Sequence, residues 1–135
     1  MIEVTAGIIE KDNKVLLARR KPGKHLEGYW EFPGGKIEND ESPKECLRRE
    51  LLEEFSIETE ILDFIAASVY EYPGKTIKLL GYLVKLVKGN FQLKDHDKII
   101  WVYPDELKTY KLAPADIPIA KEYGKQRFNQ KNNSF

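Results

Sequence analysis

The stretch Gly34 to Ile57, GGKIENDESPKECLRRELLEEFSI, decides how the chain is read, because a glycine pair, a helix start and a dense set of carboxylates fall within it. Ser42 is a favourable N-cap, Pro43 suits the first helical turn where its missing N–H is not needed, and Glu45 stands where a capping box requires an acid. A helix is predicted from about Ser42 to about Phe55. At roughly 100° per residue, Leu47, Leu51 and Phe55 line one stripe while Glu50, Glu53 and Glu54 line an adjoining one. Acids three and four residues apart repel, so this face costs helix stability unless cations occupy it, and Arg48 and Arg49 offset only part of the repulsion. Hard Mg²⁺ or Mn²⁺ with oxygen ligands suits such a face. Taken alone, however, a run of acids more often faces water.

The spacing carries more than the charge. Gly35, Glu41, Arg49, Glu50, Leu51, Glu53, Glu54 and Ile57 fill the pattern G-x5-E-x7-R-E-U-x-E-E-x-G-U, where U is bulky and apolar. On these residues the chain resembles the Nudix hydrolase family, whose box this is. Ser56 stands where the family has a helix-ending glycine, a departure expected to cost C-cap stability without touching the metal ligands. Glu31-Phe32-Pro33-Gly34-Gly35-Lys36 ahead of the box resembles the entry to the site in the MutT-type branch. The glycine pair reads as a turn with unusual backbone freedom, and the resemblance implies that the Gly34 carbonyl joins the metal shell.

The chain has 135 residues, one domain's length, with 41% hydrophobic and 33% charged residues. Lys+Arg and Asp+Glu both number 22, so no global field draws the chain to nucleic acid or to a membrane surface, and a polyanionic ligand needs local charge or metal. No apolar run approaches a membrane span and no signal-peptide pattern opens the chain, which leads to an expected cytoplasmic location. Cys46 is the only cysteine, excluding an internal disulfide and a thiolate zinc site; on the helix it reads as a small packing residue.

Upstream, Ile2 to Glu10 and Lys14 to Arg20 read as two strands around Lys11-Asp12-Asn13. Lys21 to His25 is a basic loop placed to give the neutral chain local positive charge for phosphates. Tyr29 to Pro33 reads as a short aromatic strand. Downstream, Glu58 to Tyr72 and Thr76 to Val87 read as a hairpin around Pro73-Gly74, followed by a charged loop, Lys94 to Lys98, and an apolar run, Ile99 to Val102. A short helical segment is predicted from Pro104 to near Tyr110. A last helix is predicted from an Asp116 N-cap to about Arg127. One domain over residues 1–128 is expected, with 129–135 a polar, disordered tail.

Strands around one acidic helix, closed by a second helix, imply an α/β domain on a mixed β-sheet, and the resemblance sharpens this to the Nudix α/β/α sandwich. It further implies Mg²⁺-dependent conversion of a nucleoside triphosphate to monophosphate and pyrophosphate, with Glu50, Glu53 and Glu54 as metal ligands. One of these acids or Asp95, which takes the place of a family Glu, assists the water. Glu41 and Arg49 orient the ligands. Arg20, His25, Phe32 and Lys36 match substrate contacts of the branch. Asp116 falls where MutT proper has asparagine, and it reads either as a helix cap or as an acceptor for a base amine. Two substrates follow, oxidised dGTP first and (modified) dCTP or CTP second, for a monomer or homodimer. A non-catalytic nucleotide-binding module is the reading from another class, and the complete set of box acids argues against it.

Overall fold

A computed structural model of the chain describes residues 1–132. Its elements run β1 (Ile2–Lys11), β2 (Lys14–Arg20), β3 (Trp30–Glu31), β4 (Gly34–Lys36), α1 (Pro43–Phe55), β5 (Ile57–Tyr72), β6 (Lys75–Gly89), β7 (His96–Val102), a 3₁₀ helix (Pro104–Thr109) and α2 (Asp116–Asn132). The strands form one mixed sheet in the order β3-β2-β1-β6-β5, with β1 and β6 parallel, β4 added beside β1 and β7 beside β2. Alternation along the strands sorts the core into two layers. Val15 and Leu17 face α2 with Ile119 and Tyr123, whereas Leu16 and Ala18 face α1 with Leu47, Leu51 and Phe55. This is the expected α/β/α sandwich.

The β1–β2 hairpin turns on Asp12 and Asn13, both at positive φ (52° and 64°), as a two-residue turn matched to strand twist requires. Only Glu10↔Val15 and Lys11↔Lys14 pair across it. Beyond them the strands diverge: β1 takes β4 as its neighbour, and β2 takes β3 and β7. Phe32 and Pro33 cross this fork, with the Gly7 N–H donating to the Pro33 carbonyl at 2.6 Å. The fork positions the site, since the divergence opens a cleft lined by Val4 of β1, Arg20 of β2 and Glu31 of β3.

Helix α1 begins as its capping residues dictate. Ser42 Oγ accepts from the Glu45 N–H at 3.1 Å, and Glu45 accepts from the Ser42 N–H at 3.0 Å. Leu47, Leu51 and Phe55 are fully buried, each side chain contributing about 1.5–3 kcal/mol relative to exposure. The helix ends at Ser56, which adopts the left-handed conformation (φ 58°, ψ 35°) and donates its N–H to the Leu52 carbonyl at 3.0 Å. A residue with a Cβ is strained there, so Ser56→Gly is expected to stabilise the fold by up to about 1 kcal/mol in chemical denaturation, with catalysis nearly unchanged. A clear loss of stability would contradict this account of the helix end.

Three expectations need correction. The glycine pair is not a turn with unusual dihedrals: Gly34 and Gly35 lie in β4, outside the positive-φ glycines. Glycine is needed at Gly34 for close approach, because a Cβ would overlap the Thr5 carbonyl of the paired strand. Helix α2 continues to Asn132, beyond the predicted end at Arg127 and into the segment read as a disordered tail, because Lys, Gln and Asn after Gly124 tolerate helix and no proline stops it. The rest of that tail, residues 133–135, lies outside the described residues. Finally, Asp116 does not cap α2 with its side chain but reaches across the fold, as described next.

Candidate active site

Two groups of polar residues lie on either side of the Asp95-His96 corner. The first gathers around Arg49 on α1. Its guanidinium makes a two-pronged contact with Glu41, its Nη1 donates to Glu50 Oε1 and Glu53 Oε2, each at 3.0 Å, and its Nη2 donates to the Lys36 carbonyl at 3.3 Å. These bonds raise the Arg49 pKa and, with the Glu38 N–H, hold Glu41 down at about 2. The planar fork of Arg49 reaches Glu41, Glu50 and Glu53 at once, yet it offsets only part of the acid repulsion, as expected, since Glu54 and Glu53 still push the Glu50 pKa up. Gly35 belongs here too. A Cβ on it would overlap the Glu50 carboxylate, so the box glycine makes room for a box acid.

Glu50 and Glu54 both have pKa values raised chiefly by burial. Glu54 lies against Asp95, whose charge adds to the upward push, and its Oε2 is buried with no hydrogen-bond partner. Asp95 also pairs with Lys24 Nζ at 3.1 Å. Burial works upward on Asp95, but the bonds from Lys24 and Glu54 outweigh it and its pKa is lowered. Asp95 thus reaches the acid cluster despite being shorter than Glu. Glu53 remains half-exposed, with 53% of its side chain accessible.

Among the described residues no three His, Cys, Asp or Glu side chains converge closely enough to form a metal site as they stand. The donor set still fits a hard divalent cation. Glu50, Glu53 and Glu54 offer oxygen only, two of them are desolvated, and the Glu54 Oε2 lacks a partner. No described interaction tests the Gly34 carbonyl as a ligand.

The second group lines a cleft of about 190 Å³ at the β1–β2 fork, walled by Arg20, His25, Glu31, Tyr72 and Asp116 over an apolar floor that includes Leu79. Arg20 Nη1 donates to Glu31 Oε2 at 3.0 Å, and its Nε donates to the His25 carbonyl. The His25 ring meets Tyr72 edge-on with centroids 5.2 Å apart, and burial, then Lys75 and Arg20, lower its pKa. Asp116 is only 4% exposed, and its Oδ2 accepts the Phe32 N–H at 2.9 Å. Burial, then the Glu31 charge, push its pKa well above the carboxylate range. The bond from the Phe32 N–H uses Asp116 as an acceptor, and burial favours its protonated form, which also carries an O–H donor.

Two substrate-contact expectations move. The Phe32 side chain is 3% exposed and packs in the core on the α2 side, outside the cleft lining, whereas its neighbour Glu31 lines the cleft. Glu31 was missed, although a lone acid within an aromatic run was the available signal. Lys36 is exposed beside Glu3 and Glu38, away from the cleft, and offers its carbonyl to Arg49. The basic loop is also less free than expected. Lys21 Nζ donates to the Lys94 carbonyl, Lys24 holds Asp95 and Arg19 pairs with Asp97 at 2.8 Å, so the loop braces the Asp95 segment. Cys46 is buried, its Sγ 3.4 Å from Thr5 Oγ1, as a packing residue should be.

Residues 1–123 match the family model of the NUDIX domain. The chain is 43% identical over 123 residues to the CTP pyrophosphohydrolase of Escherichia coli K12, covering 91% of each chain. It is 31% identical over 119 residues to the 8-oxo-dGTP diphosphatase of the same organism, covering 87% of this chain and 92% of that protein. Its fold superposes on the solution structure of the E. coli ORF135 protein with TM-score 0.82 at 41% identity, covering 94% of this chain and 91% of the other. A crystal structure of MutT protein from Methanosarcina mazei Go1 gives TM-score 0.80 at 26% identity, covering 98% and 96%.

Proposed function

The chain belongs to the NUDIX domain family and is a hydrolase of diphosphate linkages; from this premise we propose that it cleaves nucleoside triphosphates to monophosphate and pyrophosphate, with sanitation of 8-oxo-dGTP as its main reaction. The observation that carries the reading is the placement of a base-sized cleft bearing Glu31 and Asp116 next to the carboxylates Glu50, Glu54 and Asp95, with Asp95-His96 between them. Mg²⁺, or Mn²⁺, would be held by Glu50, Glu53, Glu54 and the Gly34 carbonyl. Bound there, the ion supplies charge neutralisation on the diphosphate and a lowered pKa for water.

The chain's own residues supply the rest. Arg49 locks Glu41 and fixes the rotamers of Glu50 and Glu53, so that the acids are ordered before substrate arrives. Glu54 and Asp95 lie against each other, and Asp95, whose pKa is lowered, is the carboxylate of the pair suited to accepting a proton from the attacking water. Arg20 holds Glu31, and Glu31 and Asp116 together present hydrogen-bonding oxygens to a base edge. His25 and Tyr72 form an aromatic wall.

A second substrate, CTP or a modified dCTP, is favoured by the 43% identity to the E. coli CTP pyrophosphohydrolase, and Asp116 can accept from the cytosine amine, its protonated form, which burial favours, also being able to donate to N3. A panel of 8-oxo-dGTP, dGTP, CTP, dCTP and 5-methyl-dCTP, compared by kcat/KM with Mg²⁺, tests the ranking. The highest value for 8-oxo-dGTP supports the main reading, and the highest value for a cytosine nucleotide transfers it to the second. We place the reaction in the cytoplasmic nucleotide pool, and no described helix is long and apolar enough to cross a membrane.

A further inference from the structure

His96 is 7% exposed and has no part in the chemistry above, yet it stands between the two halves of the site. Its Nε2 is 2.7 Å from Glu31 Oε2, the oxygen that also takes Arg20 Nη1 at 3.0 Å. Its ring stacks on Phe55, the last residue of α1, with centroids 5.2 Å apart and planes 29° from parallel. Its Nδ1 is buried with no hydrogen-bond partner. A guanidinium can only donate, so Glu31 Oε2 is an acceptor. His96 therefore donates its Nε2–H to the same oxygen and keeps Nδ1 unprotonated, the tautomer that leaves no N–H orphaned in the interior.

Glu31 is thus gripped at one oxygen by two donors approaching from different elements, β2 and β7. With Arg20 alone, the carboxylate can pivot about a single bond to a side chain that is itself tied to a loop carbonyl. With His96 clamped against the end of α1, the pivot is closed. We propose that His96 is a positioning residue that sets base specificity by fixing the Glu31 carboxylate toward the cleft, an inference that rests on reading the cleft as the nucleobase site. The base touches Glu31, and His96 acts through it. Stacking on Phe55 ties that setting to the helix carrying Glu50, Glu53 and Glu54.

The test uses the full chain. His96→Phe keeps a ring against Phe55 and removes the N–H, while His96→Gln offers an amide N–H at comparable reach. For the preferred and least preferred nucleotides of the panel, His96→Phe is expected to raise KM for the preferred one by about tenfold or more with kcat little changed, and to leave the poor substrate nearly unaffected. His96→Gln should recover most of the discrimination. A folded His96→Phe with wild-type preference ratios would overturn the proposal, as would equal loss of kcat at unchanged KM in both variants. Should His96→Phe not fold, ¹⁵N imidazole spectra of the wild type decide. They are expected to show an Nε2–H ring that shifts on adding the monophosphate product but not inorganic pyrophosphate, and an Nδ1–H ring, or one indifferent to the monophosphate, overturns the assignment. A wild type that turns over no nucleoside triphosphate sinks the parent reading; one whose base preference survives His96→Phe sinks this inference alone.

Discussion

Glu54→Gln is expected to lower kcat/KM by at least about tenfold, equivalent to about 1.4 kcal/mol of transition-state stabilisation, while the protein stays folded. The carboxylate lies against Asp95 with a desolvated, unpartnered Oε2, so its charge has no structural duty that an amide would fail to perform. Glu53→Gln is expected to fall by a similar factor through loss of a proposed metal ligand. Its side chain is half-exposed and bonded to Arg49, which makes its folding cost small. Steady-state kinetics at saturating Mg²⁺ with a parallel melting curve checks both, and wild-type kcat/KM in both variants would return the acid stripe to an ordinary solvated helix face.

Asp116→Ala should lose roughly tenfold or more in kcat/KM for the preferred nucleotide and compress its advantage over other bases, because a matched polar contact discriminates by leaving the wrong ligand unpaired. The same change strands the buried Phe32 N–H, at a cost of about 1–3 kcal/mol in stability. Asp116→Asn separates these effects, since it keeps an acceptor for Phe32 and removes only the titration. Burial raises the folded pKa of Asp116, so the folded state binds the proton more tightly than the unfolded one. Stability then declines as pH rises from the ordinary carboxylate range through the raised value. Asp116→Asn should therefore melt above wild type at neutral pH, with the gap closing as pH falls toward that ordinary range. An unaltered preference ratio in Asp116→Ala would remove the residue from base recognition, and a pH-independent gap would contradict its raised pKa.

Local rules carried the fold where the chain's own neighbours decide the outcome. The Ser42-Glu45 box, the Leu47-Leu51-Phe55 stripe and the Asp12-Asn13 turn follow from spacing and dihedral preference, and each is realised. The acid cluster was legible because its members sit on one helix with fixed angular offsets. The cleft was less so. Asp116 reaches Phe32 across 84 positions, and His96 meets Glu31 across 65, contacts set by how β3 and β7 flank β2 and by the Ala113 segment beside β3. The glycine pair misled for a related reason: a residue without a Cβ permits either a rare dihedral or a close neighbour, and only the Thr5 carbonyl and the Glu50 carboxylate reveal which applies. The choice between Phe32 and Glu31 turned on tertiary packing: β3 ends at Glu31, and Phe32 is drawn into the core as the chain crosses the fork.

The central claim is cleavage of a nucleoside triphosphate at an inner phosphorus by the α1 carboxylates. Following the wild-type reaction by ³¹P NMR with Mg²⁺ and 8-oxo-dGTP or CTP tests it most directly. The account predicts monophosphate and pyrophosphate in equal amounts, with no orthophosphate and no signal change when Mg²⁺ is withheld. Release of orthophosphate and a diphosphate, or turnover that persists without a divalent ion, would contradict it.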